Sequence, residues 1–340
     1  MRAALIGSSF SGKSLVFQAL TGIEQSKKEE TVGTIKVPDK RIDQLSLIYN
    51  PKKKTYAEFV LSDFNIQESK SSIISAKVKN MIQKTELLIL TLRNFDSIMS
   101  SDAKNPAAEY TKIKEDLIIT DFIVIEKRIE RDLKEKKNPP EMGVLKKLMA
   151  ILEQGVFPND TDLSDDEIAE VSNYNFLSLK KKIVLINQSE GESEIPADLK
   201  TLLEKDGVPC FSVSAALETE LNDLSYDEQI EFLASYGIKE TAKERFIQEA
   251  YKSLGLISFL TAGEDEVRAW PIKKGATAVV AAGKIHSDIA RGFIRAETID
   301  FDTFVKHGSE SECKKAGVFR LEGKEYTVKD GDIINFRFNV

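Results

Sequence analysis

The chain has few of the residues that build metal clusters, disulfide frameworks or histidine-dependent active sites. Its 340 residues include two cysteines, Cys210 and Cys313, and two histidines, His286 and His307. The cysteines are too few for a disulfide framework or a thiolate zinc cluster, and they fit a reducing compartment. Two histidines exclude poly-histidine metal sites and disfavour a Ser-His-Asp hydrolase. The chemistry of the chain must therefore come from other residue types.

The chain also lacks a strong charge of one sign and a long apolar run. Its 48 lysines and arginines against 55 aspartates and glutamates give a net charge of −7. This balance draws the protein neither to nucleic acid nor to anionic lipid, so we expect no recognition of DNA sequence. No stretch approaches the roughly 18 apolar residues that span a bilayer, and Gly7 and Lys13 interrupt the apolar N-terminus before a signal peptide is complete. We therefore expect a cytoplasmic protein without a membrane partner.

Short apolar runs between helical stretches predict an α/β fold. The length of 340 residues exceeds the roughly 100 to 200 of one ordinary domain, so more than one domain is expected. Strands that alternate with helices imply a mostly parallel sheet with helices on both faces. The predicted strands are residues 2–6, 56–62, 87–92, 183–186 and 210–213.

A helical hairpin is predicted to project from this sheet domain. Apolar residues alternate at steps of four and three along a charged stretch, as in an amphipathic helix. They are Ile118, Phe122, Ile125, Ile129 and Leu133, and the matching stripe on a return helix is Val144, Leu148, Ile151 and Leu152. Asn138-Pro139-Pro140 breaks the helix between them. The stripes fit a self-packed antiparallel coiled coil or a dedicated partner-binding arm, and packing alone explains them.

The first loop of the chain carries the strongest chemical signal. Gly7-Ser8-Ser9-Phe10-Ser11-Gly12-Lys13-Ser14 follows a predicted strand and opens a helix over residues 14–20, as a phosphate loop requires. Its glycines let backbone N–H groups curl around phosphate oxygens, and the helix adds its positive end. Lys13 places a charge on the β- and γ-phosphates and is the catalytic candidate, while Ser14 ligates Mg²⁺. The predicted nucleotide-binding segment runs from Gly7 through Leu15.

Polar residues follow three other predicted strands, at the edge where a parallel sheet binds its ligands. Asp63 occupies the place of a carboxylate that organises Mg²⁺ through water, although a surface-turn aspartate is the plainer alternative. Base-reading candidates follow the other two strands. They are Asn187, Gln188, Glu190, Ser214, Ala215 and Ala216.

The C-terminal part is predicted to be a compact, β-rich domain. Residues 320–328 alternate between apolar and polar with Gly323 at a turn, and Asp330-Gly331 precedes a closing strand over 333–340. Together with the motifs above, the whole chain resembles the YchF-type Obg-like ATPases, a family of translation-factor-related P-loop proteins. The resemblance is tightest at the C-terminus. The strings that carry it are residues 259–263, 266–270, 275–277, 285–288, 292–297 and 330–340.

The resemblance implies three domains and an association with ribosomes or translation. A discontinuous P-loop domain would cover residues 1–104 and 174–254, with the coiled-coil insertion at 105–173 between its parts. A β-grasp domain of the TGS type would cover 255–340. The family has Asn-x-x-Glu where most relatives have Asn-Lys-x-Asp, and Asn187 to Glu190 matches that form. Because the longer Glu disturbs the two hydrogen bonds that Asp accepts from guanine, ATP is favoured over GTP.

The chain departs from the family around the γ-phosphate. Ile66 stands where the Asp-x-x-Gly motif has glycine, and the segment before Val32 is shortened, so Thr31 is a weak candidate for Mg²⁺. Gln67 follows Ile66, where many related GTPases have the glutamine that orients the attacking water, so Gln67 is a second catalytic candidate. The alternative is a solvent-exposed residue at the start of a helix. Phe10 replaces an Asn associated with a monovalent cation, so we expect no potassium stimulation.

Two hypotheses remain. In the first, the protein is a slow ATPase whose hydrolysis is impaired relative to binding, because the cradle for the α- and β-phosphates is intact while the γ-phosphate sensors are altered. In the second, it is a degenerate module that holds ATP or ADP as a sensor or scaffold without turnover. The two share every predicted binding residue and differ only in turnover.

Overall fold

The computed structural model describes the chain except residues 27, 65–73, 75, 98–102, 160, 193, 223, 239 and 340. The strands in this part of the chain are β1 (Arg2–Ile6), β2 (Glu30–Val37), β3 (Lys53–Thr55), β4 (Ala57–Phe64), β5 (Leu87–Asn94), β6 (Lys181–Gln188), β7 (Cys210–Val213), β8 (Leu256–Thr261), β9 (Glu266–Lys273), β10 (Phe293–Asp300), β11 (Arg320–Glu322) and β12 (Asp332–Phe338). The helices are α1 (Lys13–Thr21), α2 (Lys40–Tyr49), α3 (Ala76–Ile82), α4 (Pro106–Lys134), α5 (Met142–Leu152), α6 (Asp165–Glu170), α7 (Ala197–Asp206), α8 (Ala215–Leu221), α9 (Tyr226–Ser235), α10 (Ala242–Ser253), α11 (Ala278–Ile285), α12 (Ser287–Arg291), α13 (Phe301–His307) and α14 (Glu310–Lys315).

The chain divides into two compact units, Met1–Ile35 with Val60–Ala250 and Lys36–Phe59 with Tyr251–Val340. The first contains a six-stranded sheet of order β2-β4-β1-β5-β6-β7. β1 pairs in parallel with β4 and β5, and β6 pairs in parallel with β5 and β7. The predicted α/β class is confirmed. Because these five strands are parallel, their carboxyl ends lie along one edge of the sheet.

The predicted helical hairpin exists as α4 and α5, and it belongs to the first unit. Tyr110 and Leu117 on α4 and Leu148 on α5 are fully buried. They belong to one hydrophobic cluster with Leu90 of β5 and Val184 of β6. The amphipathic stripe therefore faces the sheet as well as the partner helix. Sequence periodicity placed Ile125 and Ile129 correctly on the buried side of the helix but was wrong for Leu133, which is 60% exposed near the end of α4. Periodicity also did not reveal the second surface that covers the helix.

The second unit has its own mixed sheet, of order β11-β10-β12-β8-β9-β3. Its strand β3 comes from the early part of the chain and pairs in parallel with β9, from Lys53 opposite Glu266 to Thr55 opposite Arg268. Tyr49 also stacks on Phe304, with ring centroids 5.6 Å apart. The segment over residues 36–59 therefore lies in the second unit, whereas the sequence analysis assigned it to the P-loop domain. The strand has three residues, too few for a periodic signal.

No helix in the described part of the chain is long and apolar enough to cross a membrane.

Candidate nucleotide-binding site

The loop between β1 and α1 has the backbone of a phosphate cradle. Gly12 adopts a left-handed conformation, with φ of +80°, directly before the first turn of α1. A Cβ atom on Gly7 would lie 2.4 Å from the carbonyl oxygen of Thr91, and one on Gly12 would lie 2.2 Å from Nδ2 of Asn187. Both contacts are closer than atoms tolerate, so glycine is required at both ends of the loop. This explains the two glycines of the motif in terms of the neighbouring strands β5 and β6.

Side chains of the loop divide between its inner and outer faces. Lys13 Nζ donates a hydrogen bond of 2.7 Å to the carbonyl oxygen of Gly7, so its ammonium group spans the loop. Ser11 is fully buried, and its Oγ atom has no hydrogen-bond partner among the described residues. Ser9, Phe10 and Leu15 are exposed, and Ser8 is half-buried. An ammonium group held across a loop at a helix N-terminus is suited to a polyphosphate.

Ser14 and Asp63, the two residues predicted to hold Mg²⁺, share one partner. Ser14 Oγ donates to Oε1 of Gln25 at 2.6 Å, and Nε2 of Gln25 donates to Oδ2 of Asp63 at 2.8 Å. Asp63 lies within β4 and is fully buried. Burial raises the pKa of its carboxyl group, and the nearby charge of Lys13 opposes that rise.

This corner fits a hard divalent cation. Oδ1 of Asp63 is buried and has no hydrogen-bond partner among the described residues. Hydroxyl, carboxylate and carboxamide oxygens are the ligands that Mg²⁺ prefers. Ser14 and Asp63 would therefore hold Mg²⁺, which would neutralise charge on the bound phosphates.

Asn187 joins the phosphate loop to the next helix of the site. Its Nδ2 atom donates to the carbonyl oxygen of Ser11 at 3.2 Å, and its Oδ1 atom accepts from the backbone N–H of Ala215 at 3.1 Å. The side chain lies near the end of β6 and is buried. Both ends of its carboxamide thus bind the protein, and Asn187 positions the loop. Its contact with adenine stays a prediction.

The remaining base-reading candidates surround the turn after β6 and the start of α8. Gln188 is buried and donates to the carbonyl oxygen of Glu192, while Glu190 is exposed. Ser214 caps α8 by accepting from the N–H of Leu217, and Ala216 is exposed on that helix. A cleft of about 700 Å³ beside this turn is open to solvent. Its lining includes Gln188, Glu190, Ser214, Tyr236 and Arg245.

The structure describes Thr31 but not Gln67, the other residue predicted to act at the γ-phosphate. Gln67 lies outside the described residues, as does Ile66. Thr31 is in β2, and its hydroxyl accepts from the N–H of Ser26 at 3.0 Å and contacts Ser26 Oγ at 2.9 Å. The sequence analysis missed Gln25, which no motif marks. Its only sequence signal is its place in the shortened segment after α1.

Comparison with known proteins gives full-length matches. Residues 256–339 match the YchF-GTPase_C family model, described as a protein of unknown function (DUF933). The chain is 36% identical over 360 residues to the Ribosome-binding ATPase YchF of Pasteurella multocida, with 100% of this chain and 99% of the relative covered. It is 34% identical over 364 residues to the protein of that name from Bacillus subtilis, with 100% of both covered.

A solved structure matches as well. The structure titled as the Schizosaccharomyces pombe YchF GTPase has a TM-score of 0.83 and 26% identity to this chain, and the match covers 99% of this chain and 97% of that one. The family resemblance predicted from the sequence is confirmed.

Proposed function

The chain belongs to the YchF family, and from this premise we propose that it binds ATP with Mg²⁺, prefers ATP to GTP, and hydrolyses it slowly. One observation carries the proposal. Gly12 is in the left-handed conformation, and Lys13 spans the loop. Ser14 is linked to Asp63 through Gln25, so the candidate phosphate-binding and metal-binding side chains lie together. Ser14 and Asp63 would hold Mg²⁺, and the ion would supply positive charge to stabilise the bound phosphates.

The proposal extends to a partner and a compartment. The relatives of this chain from Pasteurella multocida and Bacillus subtilis carry the name ribosome-binding ATPase. We propose that this chain likewise associates with ribosomes in the cytoplasm. We also propose that the second unit contains a β-grasp domain of the TGS type, on residues 255–340. Its mixed sheet supports this, because Ala278 and Ala282 of α11 pack in one cluster with Phe259 and Phe336 of that sheet.

Slow hydrolysis is proposed from the altered γ-phosphate region. Ile66 stands in the sequence where the family's Asp-x-x-Gly motif has glycine, and a β-branched residue there is expected to hinder the close approach of a backbone N–H to the phosphate. The hydroxyl of Thr31 forms a hydrogen bond with the hydroxyl of Ser26, whereas the hydroxyl of Ser14 donates to Gln25. These observations also support a second candidate function, a sensor or scaffold that binds nucleotide without turnover.

The test of binding is calorimetry and thermal melting with ATP, ADP and GTP in MgCl₂. We expect Lys13→Ala to abolish the stabilisation by ATP, because it removes the charge that spans the loop. Lys205→Ala, on the exposed last turn of α7, is the matched control and should keep the wild-type response. ATP should stabilise the wild type more than GTP does.

Two results would contradict the proposal. An unchanged melting shift for Lys13→Ala would remove the phosphate-loop assignment, and equal shifts for ATP and GTP would remove the base preference. Turnover is tested separately by phosphate release. Release that is absent in the wild type, together with equal affinity for ADP and ATP, would favour the sensor or scaffold.

A further inference from the structure

We infer that Gln25 is a magnesium-site residue: its Oε1 atom is a ligand for the same Mg²⁺ ion that Ser14 holds, and Asp63 orients its carboxamide. The inference rests on the proposed function, since it names a further residue of the same site. No motif of the sequence points to Gln25.

The chemistry of its two partners fixes the orientation of the Gln25 carboxamide. An ionised carboxylate only accepts hydrogen bonds, so the amide group that faces Asp63 must be the NH₂ group. The observed bond from Nε2 to Asp63 Oδ2, at 2.8 Å, agrees with this. A flipped amide would set its oxygen against the carboxylate oxygen. Oε1 is therefore held on the side of Ser14.

The distance between Oε1 of Gln25 and Oγ of Ser14 is suited to two ligands of one ion. The two oxygens lie 2.6 Å apart. Ligands at the 2.0 to 2.1 Å typical of octahedral Mg²⁺ are about 3 Å from their nearest neighbours. A movement of a few tenths of an ångström would open the pair enough to share a metal. The Ser14 hydroxyl would then keep its proton, direct its hydrogen bond away from Gln25 and turn a lone pair to the ion.

The local chain holds Gln25 at this place. α1 ends at Thr21, and Gly22 follows in the left-handed conformation with φ of +72°, which turns the chain. The hydroxyl of Thr21 accepts a hydrogen bond from the N–H of Ile23 at 3.2 Å and closes the turn. The Ser26 and Thr31 hydroxyls bond to each other at 2.9 Å on the far side of Gln25. Gln25 thus presents the carboxamide oxygen beside Ser14, while the Thr31 hydroxyl has other partners.

The experiment is a calorimetric titration with ATP at a series of MgCl₂ concentrations and in EDTA. Gln25→Met keeps the length of the side chain and removes its oxygen. We expect it to raise the MgCl₂ concentration for half-maximal ATP affinity by about tenfold or more. Affinity in EDTA should stay at the wild-type value. Gln154→Met is the matched control, because Gln154 is exposed beyond α5 and its side chain donates only to the carbonyl oxygen of Ala150 among the contacts described.

Each outcome decides the question. An unchanged midpoint for Gln25→Met would overturn the inference, and a lower midpoint would also overturn it, because Gln25 would then compete with the metal. Gln25→Ala should raise the MgCl₂ midpoint by the same amount, and it replaces Gln25→Met if methionine does not pack at this position. Thermal melting in EDTA measures whether each variant is folded. Failure of the wild type to bind ATP at any MgCl₂ concentration would overturn the proposed function itself. Binding by the wild type with no shift in the variant overturns only the role of Gln25.

Discussion

The two ends of strand β6 each bury a polar side chain, with different consequences. At the start, Lys182 is buried, and its Nζ atom donates to the carbonyl oxygens of Ser178 and Lys180 at 2.7 Å each. It also lies 4.0 Å from the ring centroid of Phe157. Near the other end, the neutral carboxamide of Asn187 binds two backbone groups of the proposed nucleotide site.

The comparison separates two uses of burial on one strand. Burying a charge costs free energy even when carbonyl oxygens surround it, so the Lys182 end makes stability depend on pH. Burying a neutral amide with both ends bonded costs little and fixes the distance between the elements that it joins. The second end therefore positions the phosphate loop, and the first contributes to the fold alone. Substitutions at the two ends should affect different measurements.

The largest effect is expected for Lys182→Met, which should remove a pH dependence of the free energy of unfolding without changing ATP binding. Burial is the main cause that lowers the pKa of Lys182 to about 7; the charges of Lys181 and Lys180 act in the same direction, and those of Asp121 and Asp206 oppose it. The unfolded chain therefore binds more protons than the folded one between pH 7 and about 10.5. The free energy of unfolding of the wild type should rise with pH through that window. The cost of burying the charged ammonium group is fully present below pH 7.

The measurement is denaturant unfolding of both proteins at pH 7, 8.5 and 10. Relative to Lys182→Met, the wild type should gain on the order of a few kcal/mol from pH 7 to pH 10. Parallel pH profiles would contradict the assignment of a buried charge to this end. A loss of ATP affinity in the variant would break the separation between the two ends.

A smaller effect on stability, joined to an effect on binding, is expected for Gly12→Ala at the other end. Alanine pays the cost of a left-handed φ, and its Cβ would overlap Nδ2 of Asn187. Gly155→Ala is the matched control, because Gly155 has φ of +68° with no atom within 4 Å of the added Cβ. We expect unfolding free energies lower by about 2 kcal/mol for Gly12→Ala and about 1 kcal/mol for Gly155→Ala.

ATP titration completes this comparison. Gly12→Ala should weaken ATP binding by at least tenfold, since Asn187 must leave Ser11 or Ala215 to make room, whereas Gly155→Ala should bind as the wild type does. If both variants lose the same stability and neither loses affinity, Asn187 does not position the loop.

Features with a local cause were predictable from the sequence, and features that depend on a distant contact were not. The phosphate loop and the strand before it follow from residues that adjoin in the chain. β3 was missed because three residues pair with a strand more than 200 positions away. Asn187 was predicted to lie at the site, but its bonds to Ser11 and Ala215 require the parallel order of β1, β6 and β7. Gln25 was missed because its role comes from Ser14 and Asp63 meeting in space.

The smallest effect is expected for Phe10→Gly, which tests whether the backbone of the loop next to Asn187 is strained. Phe10 has φ of +64°, a region that a bulky residue occupies at a cost of roughly 1 to 2 kcal/mol. Its side chain is 54% exposed, so removing it sacrifices little buried area. Glycine relieves the strain and so stabilises the folded state. It also raises the conformational entropy of the unfolded chain, which offsets part of this increase in the free energy of unfolding. The net increase in unfolding free energy should be about 0.5 to 1 kcal/mol.

Phe10→Ala isolates the conformational cause of this gain, because alanine removes the ring but keeps the Cβ atom that creates the strain. The alanine variant should be no more stable than the wild type, and denaturant unfolding of the two variants side by side measures the difference. Equal stabilisation by alanine and glycine would assign the effect to the exposed ring instead of the backbone. Strain in this loop would also mean that Asn187 positions a backbone in an unfavourable conformation. At the other end of β6, the free-energy cost is the loss of hydration of the Lys182 ammonium group.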